Sequence, residues 1–308
     1  MKVTSKVPQR FAGVTLLNYL VQRFSYLDDS AWQELLRDGR ISCNGACHDG
    51  SATVVTGDVI DCDLPDFEPP QVNYDYSIIY ADDDLLAINK PAGLRVHSGG
   101  RFVTANLIYH LRHHHKPPYP EVNLVNRLDA DTSGLVLLAR NKPALTNLMQ
   151  QFADGLVNKT YLAVVAGYPE PSEGTIELPI GPVRDAAVPR FWINTGGKPA
   201  VTHYRTLQRL KPDNSLLELQ PKTGRTHQLR VHLAAMGHPI AGDALYTMND
   251  ADYLDWRRTP SPKLGMQRQA LHSRQLTVVH PTLSLPLTLT APRASDIEQF
   301  IQSATDLV

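Results

Sequence analysis

Asn126-Arg127-Leu128-Asp129-Ala130-Asp131-Thr132-Ser133-Gly134 runs directly into Leu135-Val136-Leu137-Leu138-Ala139. The second stretch is apolar throughout and five residues long, the length and character of a strand buried on both faces. Residues 124–128 read as a strand on the other side of the loop. A charged loop between two apolar strands has two readings from its residues alone. It is a hairpin turn whose Asp, Thr and Ser side chains satisfy nearby backbone groups. Otherwise it is the lip of a cleft, with Asp129 as nucleophile or general base and Arg127 two residues earlier on the same strand face.

Working outward, residues 76–80 and 85–89 are extended runs around the turn-like Asp82-Asp83-Asp84 and read as a hairpin. Residues 161–166, 201–207 and 216–220 have the β-branched and apolar content of strands. Helices are expected over 104–112, where Leu107, Ile108 and Leu111 share a face, and over 142–152, where Leu145, Leu148, Met149 and Phe152 do. A third is expected over 226–236, its stripe of Leu229, Leu233 and Met236 leaving His227 and Arg230, three apart, on another face. The mixture is α+β: a large mixed sheet with flanking helices and a central cleft. Ahead of it, residues 14–24 are apolar-periodic, Ser30 and Gln33 have capping-box spacing, and Gly39 ends that second helix. Residues 40–43 then read as a strand turning at Asn44-Gly45, and 54–62 return through Gly57-Asp58. This is a small α+β module. Asp66-Phe67-Glu68-Pro69-Pro70 has the prolines of a linker, so the expected division is a module over 1–68, a linker over 69–74 and a large domain over 75–308.

The chain has 308 residues, 42% hydrophobic and 20% charged, which excludes disordered and collagen-like classes. Its longest apolar run, residues 161–166, is far short of the about 20 residues a spanning helix needs. Met1-Lys2-Val3-Thr4-Ser5-Lys6 carries no apolar h-region, so a cytoplasmic location is expected. Cys43, Cys47 and Cys62 form neither a disulfide framework nor a zinc spacing, and read as reduced thiols. The net charge of −1 divides unevenly: residues 1–70 hold six Lys and Arg against ten Asp and Glu, and residues 71–308 hold 24 against 21. No phosphate loop or dinucleotide glycine pattern is present. The His110 to Lys116 stretch lacks the carboxylate or cysteine partners of a metal set. No cofactor and no metal are expected.

Arg127-Leu128-Asp129, followed after two residues by Thr132-Ser133-Gly134, resembles the hallmark of the RluA-type pseudouridine synthases. Further blocks follow in the family's order. Asn89-Lys90-Pro91-Ala92-Gly93-Leu94-Arg95-Val96-His97 is similar to its lysine-proline-glycine loop, and Lys159-Thr160-Tyr161-Leu162-Ala163-Val164-Val165-Ala166-Gly167 to its tyrosine segment. Thr223-Gly224-Arg225-Thr226-His227-Gln228-Leu229-Arg230-Val231-His232 is similar to its third motif, and Gly237-His238-Pro239-Ile240, Gly242-Asp243, Leu271-His272 and His280-Pro281 complete the series. The front module resembles the α-L RNA-binding domain, although its excess of acidic residues departs from a phosphate-binding charge.

The resemblance implies an isomerase that turns uridine into pseudouridine within RNA, with Asp129, Tyr161 and Arg230 catalytic and Arg127, Arg225, His227 and Gln228 binding substrate. That reaction breaks a glycosidic bond, turns the uracil and joins its ring carbon five to the ribose, with no net redox change and no external reagent. An arginine beside Asp129 favours its charged form, and Tyr161 is the ring that stacks on an extruded uracil. The implied partner is structured RNA, ribosomal ahead of transfer RNA, met by a monomer. Two rivals remain at this stage: an RNA-binding or ribosome-assembly protein, and a nucleoside hydrolase using Asp131 as a second carboxylate.

Overall fold

Leu135, Val136, Leu137, Leu138 and Ala139 are each fully buried, and strand periodicity sends them alternately to two different cores. Leu135, Leu137 and Ala139 enter one with Leu85, Ala87, Ala144 and Leu148. Val136 and Leu138 enter the other with Leu86, Ile88, Leu107 and Leu111. Truncating a side chain as enclosed as Leu137 to alanine costs roughly 2–5 kcal/mol. The structure, a computed structural model, describes residues 2–24, 27, 29–64, 70–99, 102–184, 186–263 and 265–305.

The chain divides into two compact units, Met1–Gln71 with His97–Ala105, and Val72–Val96 with Asn106–Val308. The first unit contains β1 (Lys2–Lys6), α1 (Leu16–Arg23), α2 (Asp29–Arg37), β2 (Ile41–Cys43), β3 (Ala46–Cys47) and β4 (Val59–Asp63). Its sheet runs in the order β1-β4-β2-β3, and Leu16, Tyr19, Leu20, Trp32, Ile41 and Ile60 fill its core. Asn44 turns β2 into β3 with a positive φ of 52° and donates to the Asp58 carboxylate at 2.9 Å. Two expectations shift here. The second helix starts at Asp29, which puts Ser30 inside it and not at its cap. The returning strand is only Val59–Asp63, because Asp58 accepts from the Val55 amide and folds 54–58 into a turn. The strand β1 was not anticipated. The linker stretch over 66–69 lies outside the described residues.

The second unit contains β5 (Ser77–Ala81), β6 (Leu85–Lys90), α3 (Leu107–His113), β7 (Asn123–Leu124), β8 (Ser133–Ala139), α4 (Lys142–Ala153), β9 (Asn158–Ala166), β10 (Glu173–Glu177), β11 (Ile180–Pro182), β12 (Phe191–Ile193), β13 (Val201–Leu210), β14 (Asn214–Pro221), α5 (Gln228–Ala235), α6 (Ala244–Thr247), α7 (Asp250–Arg258), β15 (Leu271–Val279), β16 (Pro286–Thr290) and α8 (Ser295–Thr305). Its large sheet is ordered β10-β13-β14-β9-β15-β8-β6-β5, with β16 on β15 and β7 on β8. Among the described residues every pairing in it is antiparallel except that of β8 with β15, which makes the sheet mixed. The strand expected over 124–128 stops at Leu124. The Asn126 side chain takes the place of the ladder there, its Oδ1 accepting from the Leu137 amide at 2.7 Å, and the chain leaves the sheet. The third helix starts at Gln228 and not at 226, because His227 has a left-handed φ of 55°.

The parallel seam is short. His272 lies beside Ser133 and Ser273 beside Gly134, while across β15 the same Ser273 faces Tyr161. Gly134 makes this approach possible: its φ is +105°, and a Cβ there would sit 2.2 Å from the Ser273 carbonyl oxygen. Gly134→Ala is therefore expected to lower unfolding stability by about 3 kcal/mol or more. Gly155→Ala, with a φ of +71° but open space around the Cβ, is expected to cost only about 1 kcal/mol. Urea unfolding midpoints of the two variants check the contrast.

Candidate active site

Asp129 stands just before β8, on the loop that the seam fixes. Its side chain is 34% exposed, whereas that of Arg230 is 9% and that of Asp243 1% exposed. Arg230 Nη1 donates to Asp129 Oδ2 at 2.9 Å. Its Nε and Nη2 form a two-pronged pair with Asp243 at 2.7 and 2.8 Å. Such a fork fixes both position and plane of the guanidinium. Asp243 can reach it because Gly242 has a φ of +78° and lies so close to the Arg268 carbonyl that a Cβ would sit 1.8 Å away. The result is a part-exposed carboxylate held by a buried cation that is itself held by a buried carboxylate.

The electrostatics follow from the geometry. Burial pushes the Asp129 carboxyl up, but His227, Arg230 and hydrogen bonding from Arg230 and Gln269 outweigh it, and the group ends below its ordinary value. His227 Nε2 is 3.7 Å from Asp129 Oδ2, and its Nδ1 is 2.8 Å from the Tyr246 hydroxyl. Burial and the nearby Arg230 push the imidazole below its ordinary range, against the pull of Asp129 and Asp243, so it is neutral at pH 7. The guanidinium of Arg230 also lies over the Tyr246 ring, 5.0 Å from its centre. Tyr161 projects from β9 and packs against the cores on both sides of the seam. Burial raises its phenol to about 12, so it is a neutral group able to donate a hydrogen bond.

The loop itself is tied down residue by residue. Lys90, only 1% exposed, donates to the Ala130 carbonyl at 2.8 Å and to that of Pro91 at 2.7 Å. Burial lowers its ammonium to about 7 against the opposing pull of Asp131. Gln269 donates to Thr132 Oγ1 at 2.6 Å, and Ser133 Oγ lies 2.9 Å from His272 Nδ1. Arg268 donates to the Asp131 carbonyl and to Ser133 Oγ, both at 3.1 Å, and forks onto Asp296 in the first turn of α8 at 2.7 and 2.8 Å.

The remaining residues singled out from sequence lie as follows. Arg127 is exposed and, among the described residues, makes no hydrogen bond or ion pair. Arg225 donates through Nε to the Pro199 carbonyl at 2.9 Å. Gln228 is buried, and its amide is spent inside the protein: it donates to Val201 O and Thr202 Oγ1 and accepts from Thr223 Oγ1 and the Arg225 amide. It holds the 223–228 turn together and presents no amide atom to a substrate. Asp131 is exposed and meets Arg268 only through its backbone carbonyl. In the His110 to His115 stretch, His110 stacks on Tyr74 with centres 4.1 Å apart, and His113 lies against Tyr109 at 4.4 Å with the rings tilted by 42°. Tyr246, Arg268, Gln269 and Asp296 did not figure in the sequence reading, and Asp243 figured only within the Gly242-Asp243 block of the family series, with no role assigned to it.

A family profile described as RNA pseudouridylate synthase matches residues 84–235. A ribosomal large subunit pseudouridine synthase D of Xylella fastidiosa is 35% identical over 306 residues, covering 96% of this chain and 90% of that one. The chain belongs to the RNA pseudouridine synthase family. The synthase is also 31% identical over 323 residues to the ribosomal large subunit pseudouridine synthase D of Escherichia coli strain K12, across 98% and 94% of the two chains. Among solved structures it is similar to human RNA pseudouridylate synthase domain containing 1, with a TM-score of 0.57 at 27% identity over 78% of this chain and 98% of that one. The corresponding human domain containing 4 gives a TM-score of 0.56 at 29% identity over 74% and 92%.

Two predictions follow from the synthase's ion network. Because Arg230 lowers the Asp129 pKa, the carboxylate stays ionised until the pH falls below the ordinary carboxylate range. In Arg230→Gln the acid limb of the pH profile of kcat/KM is expected to move to higher pH, with Arg230→Lys lying between. Asp296→Ala unforks Arg268 from α8 and is expected to lower kcat about tenfold or more with KM little changed, which single-turnover and steady-state kinetics check together.

Proposed function

We propose that this protein converts uridine to pseudouridine at chosen sites in structured ribosomal RNA of the large subunit, in the cytoplasm, with Asp129 as the reacting group. One observation carries the assignment of Asp129: it is the exposed end of the Asp129–Arg230–Asp243 chain of ion pairs. A carboxylate so placed is ionised and reachable, as attack on the ribose or removal of a proton requires. Asp243 gives both oxygens to Arg230. The named relatives that act on the large ribosomal subunit support the choice of RNA.

In this reading Asp129 drives cleavage of the bond between the uracil nitrogen and the ribose. The freed ring turns, carbon five bonds to the ribose and gives its proton to solvent, and the ring nitrogen that held the ribose takes up a proton in exchange. Tyr161, neutral because its phenol is pushed up to about 12, is the ring against which the uracil lies and can hand a proton across. His227 approaches the same Asp129 oxygen as Arg230, at 3.7 Å, and Arg127, exposed on the loop, faces RNA as phosphate contact or as filler of the vacated stack. In this reading the protein acts as a monomer. The excess of acidic residues over 1–70 gives the first unit little attraction for phosphate, so the grip on RNA falls mainly on the second unit.

The test is release of tritium from carbon five of labelled uridine, in ribosomal RNA taken from cells lacking this gene. Wild type is expected to release it and Asp129→Asn to lose it by about 1000-fold or more. Free uracil in place of tritiated water would assign a hydrolase, and no release by wild type would return the protein to RNA binding alone.

A further inference from the structure

The hairpin of β11 and β12 pairs Ile180 with Ile193, Gly181 with Trp192 and Pro182 with Phe191. Phe191 and Ile193 pack with Val231 and Tyr246 against the body of the domain. Trp192, between them in the strand, is 37% exposed, with Val183 nearby at 39%. Its cross-strand neighbour is a glycine, so no side chain covers the indole from the facing strand. The ring borders an open groove of about 340 Å³, lined also by Pro182, Val183, Arg184 and Asn194. Arg184 is exposed and, among the described residues, forms no ion pair or hydrogen bond, and the exposed Lys198 follows on the segment bridged to Ile180.

The groove is linked to the reacting carboxylate by three contacts. Trp192 stacks on Tyr246 with ring centres 6.0 Å apart and planes 22° from parallel. Tyr246 meets His227 at 2.8 Å, and His227 lies 3.7 Å from Asp129. An exposed aromatic face beside unpaired cations is the combination that binds single-stranded RNA, the ring taking a base and the cation its phosphate. Trp and Arg are enriched at protein interfaces as well; what favours RNA here is that the face lies three contacts from Asp129, along the path of the strand that carries the target uridine.

We propose that the Trp192 groove is a second nucleobase site, which stacks a base flanking the target uridine while Arg184 holds the adjoining phosphate. It deepens the proposed function and rests on it for the identity of the strand, but its test does not depend on turnover. In the Asp129→Asn background, binding of a short unstructured RNA, a uridine flanked by 2-aminopurines, is followed by anisotropy and by quenching of the 2-aminopurine. Trp192→Ala is expected to weaken binding about tenfold or more and to abolish the quenching, with Trp192→Phe retaining most of both. Arg184→Ala is expected to weaken binding and to flatten its salt dependence. Unchanged affinity and quenching in Trp192→Ala overturn the proposal and leave the face to a protein partner. If Asp129→Asn binds and quenches as expected but wild type releases no tritium, the base site stands and the catalytic reading alone fails. In active enzyme, Trp192→Ala is expected to raise KM with kcat within about twofold; a fall in kcat at constant KM overturns the site and makes Trp192 a support for Tyr246 and His227.

Discussion

A guanidinium buried between two carboxylates is the constraint around which the catalytic unit is arranged. Arg230 is 9% exposed in its side chain and cannot shed its charge, so the fold must supply negative charge on both sides of it. Asp243 supplies one side permanently, through a fork of two hydrogen bonds. Asp129 supplies the other and is the member left facing outward. The energetic logic is asymmetric: removing one partner of such a buried set strands the others, at a cost of about 3–5 kcal/mol. The arrangement therefore serves stability and charge state at once. It holds the Asp129 carboxyl below its ordinary pKa against the burial that pushes it up.

That chain requires three distant segments to meet within hydrogen-bond distance, and the sheet is what makes them meet. Antiparallel strands deliver Tyr161 on β9, and the two-residue parallel seam of β8 and β15 fixes the Asp129 loop beside it. Gly134 permits the seam and Gly242 permits the approach of Asp243, each because a Cβ would collide with a backbone carbonyl. Lys90, Arg268 and Gln269 then bond to successive residues of the loop. Their bonds fall on backbone carbonyls and hydroxyls of residues 130–133, and Gln269 also hydrogen-bonds the Asp129 carboxylate, whose side chain stays 34% exposed.

The same division explains which parts of the molecule were legible in the sequence. The long elements with a clear period were: residues 135–139 as a buried strand, 142–152 as a helix, and the hairpin around Asp82-Asp83-Asp84. The errors cluster where a side chain or an unusual backbone angle replaces regular hydrogen bonding. Asn126 takes over the ladder and ends the expected strand at Leu124, and His227 in a left-handed conformation delays the start of α5. The short β10, β11 and β12 have too few residues to show any period.

The sequence by itself determined the α+β class, the family motifs in their order, and Asp129, Tyr161 and Arg230 as the residues to watch. The class and the Asp129 loop are carried by local pattern, namely period, turn chemistry and a charged loop between apolar runs, whereas Tyr161 and Arg230 are singled out by the resemblance of their segments to the family's motifs. The tertiary structure alone decided that Asp243 locks Arg230, that Arg268 ties the loop to α8, and that Gln228 faces inward. Arg268 meets Asp131 across 137 residues and Gln228 meets Val201 across 27, while even Arg230 and Asp243, 13 apart, lie beyond the reach of a helical or strand period. A hydrogen bond across such a separation leaves no periodic trace in either segment, because its partners are brought together by the packing of the sheet and not by the sequence around them.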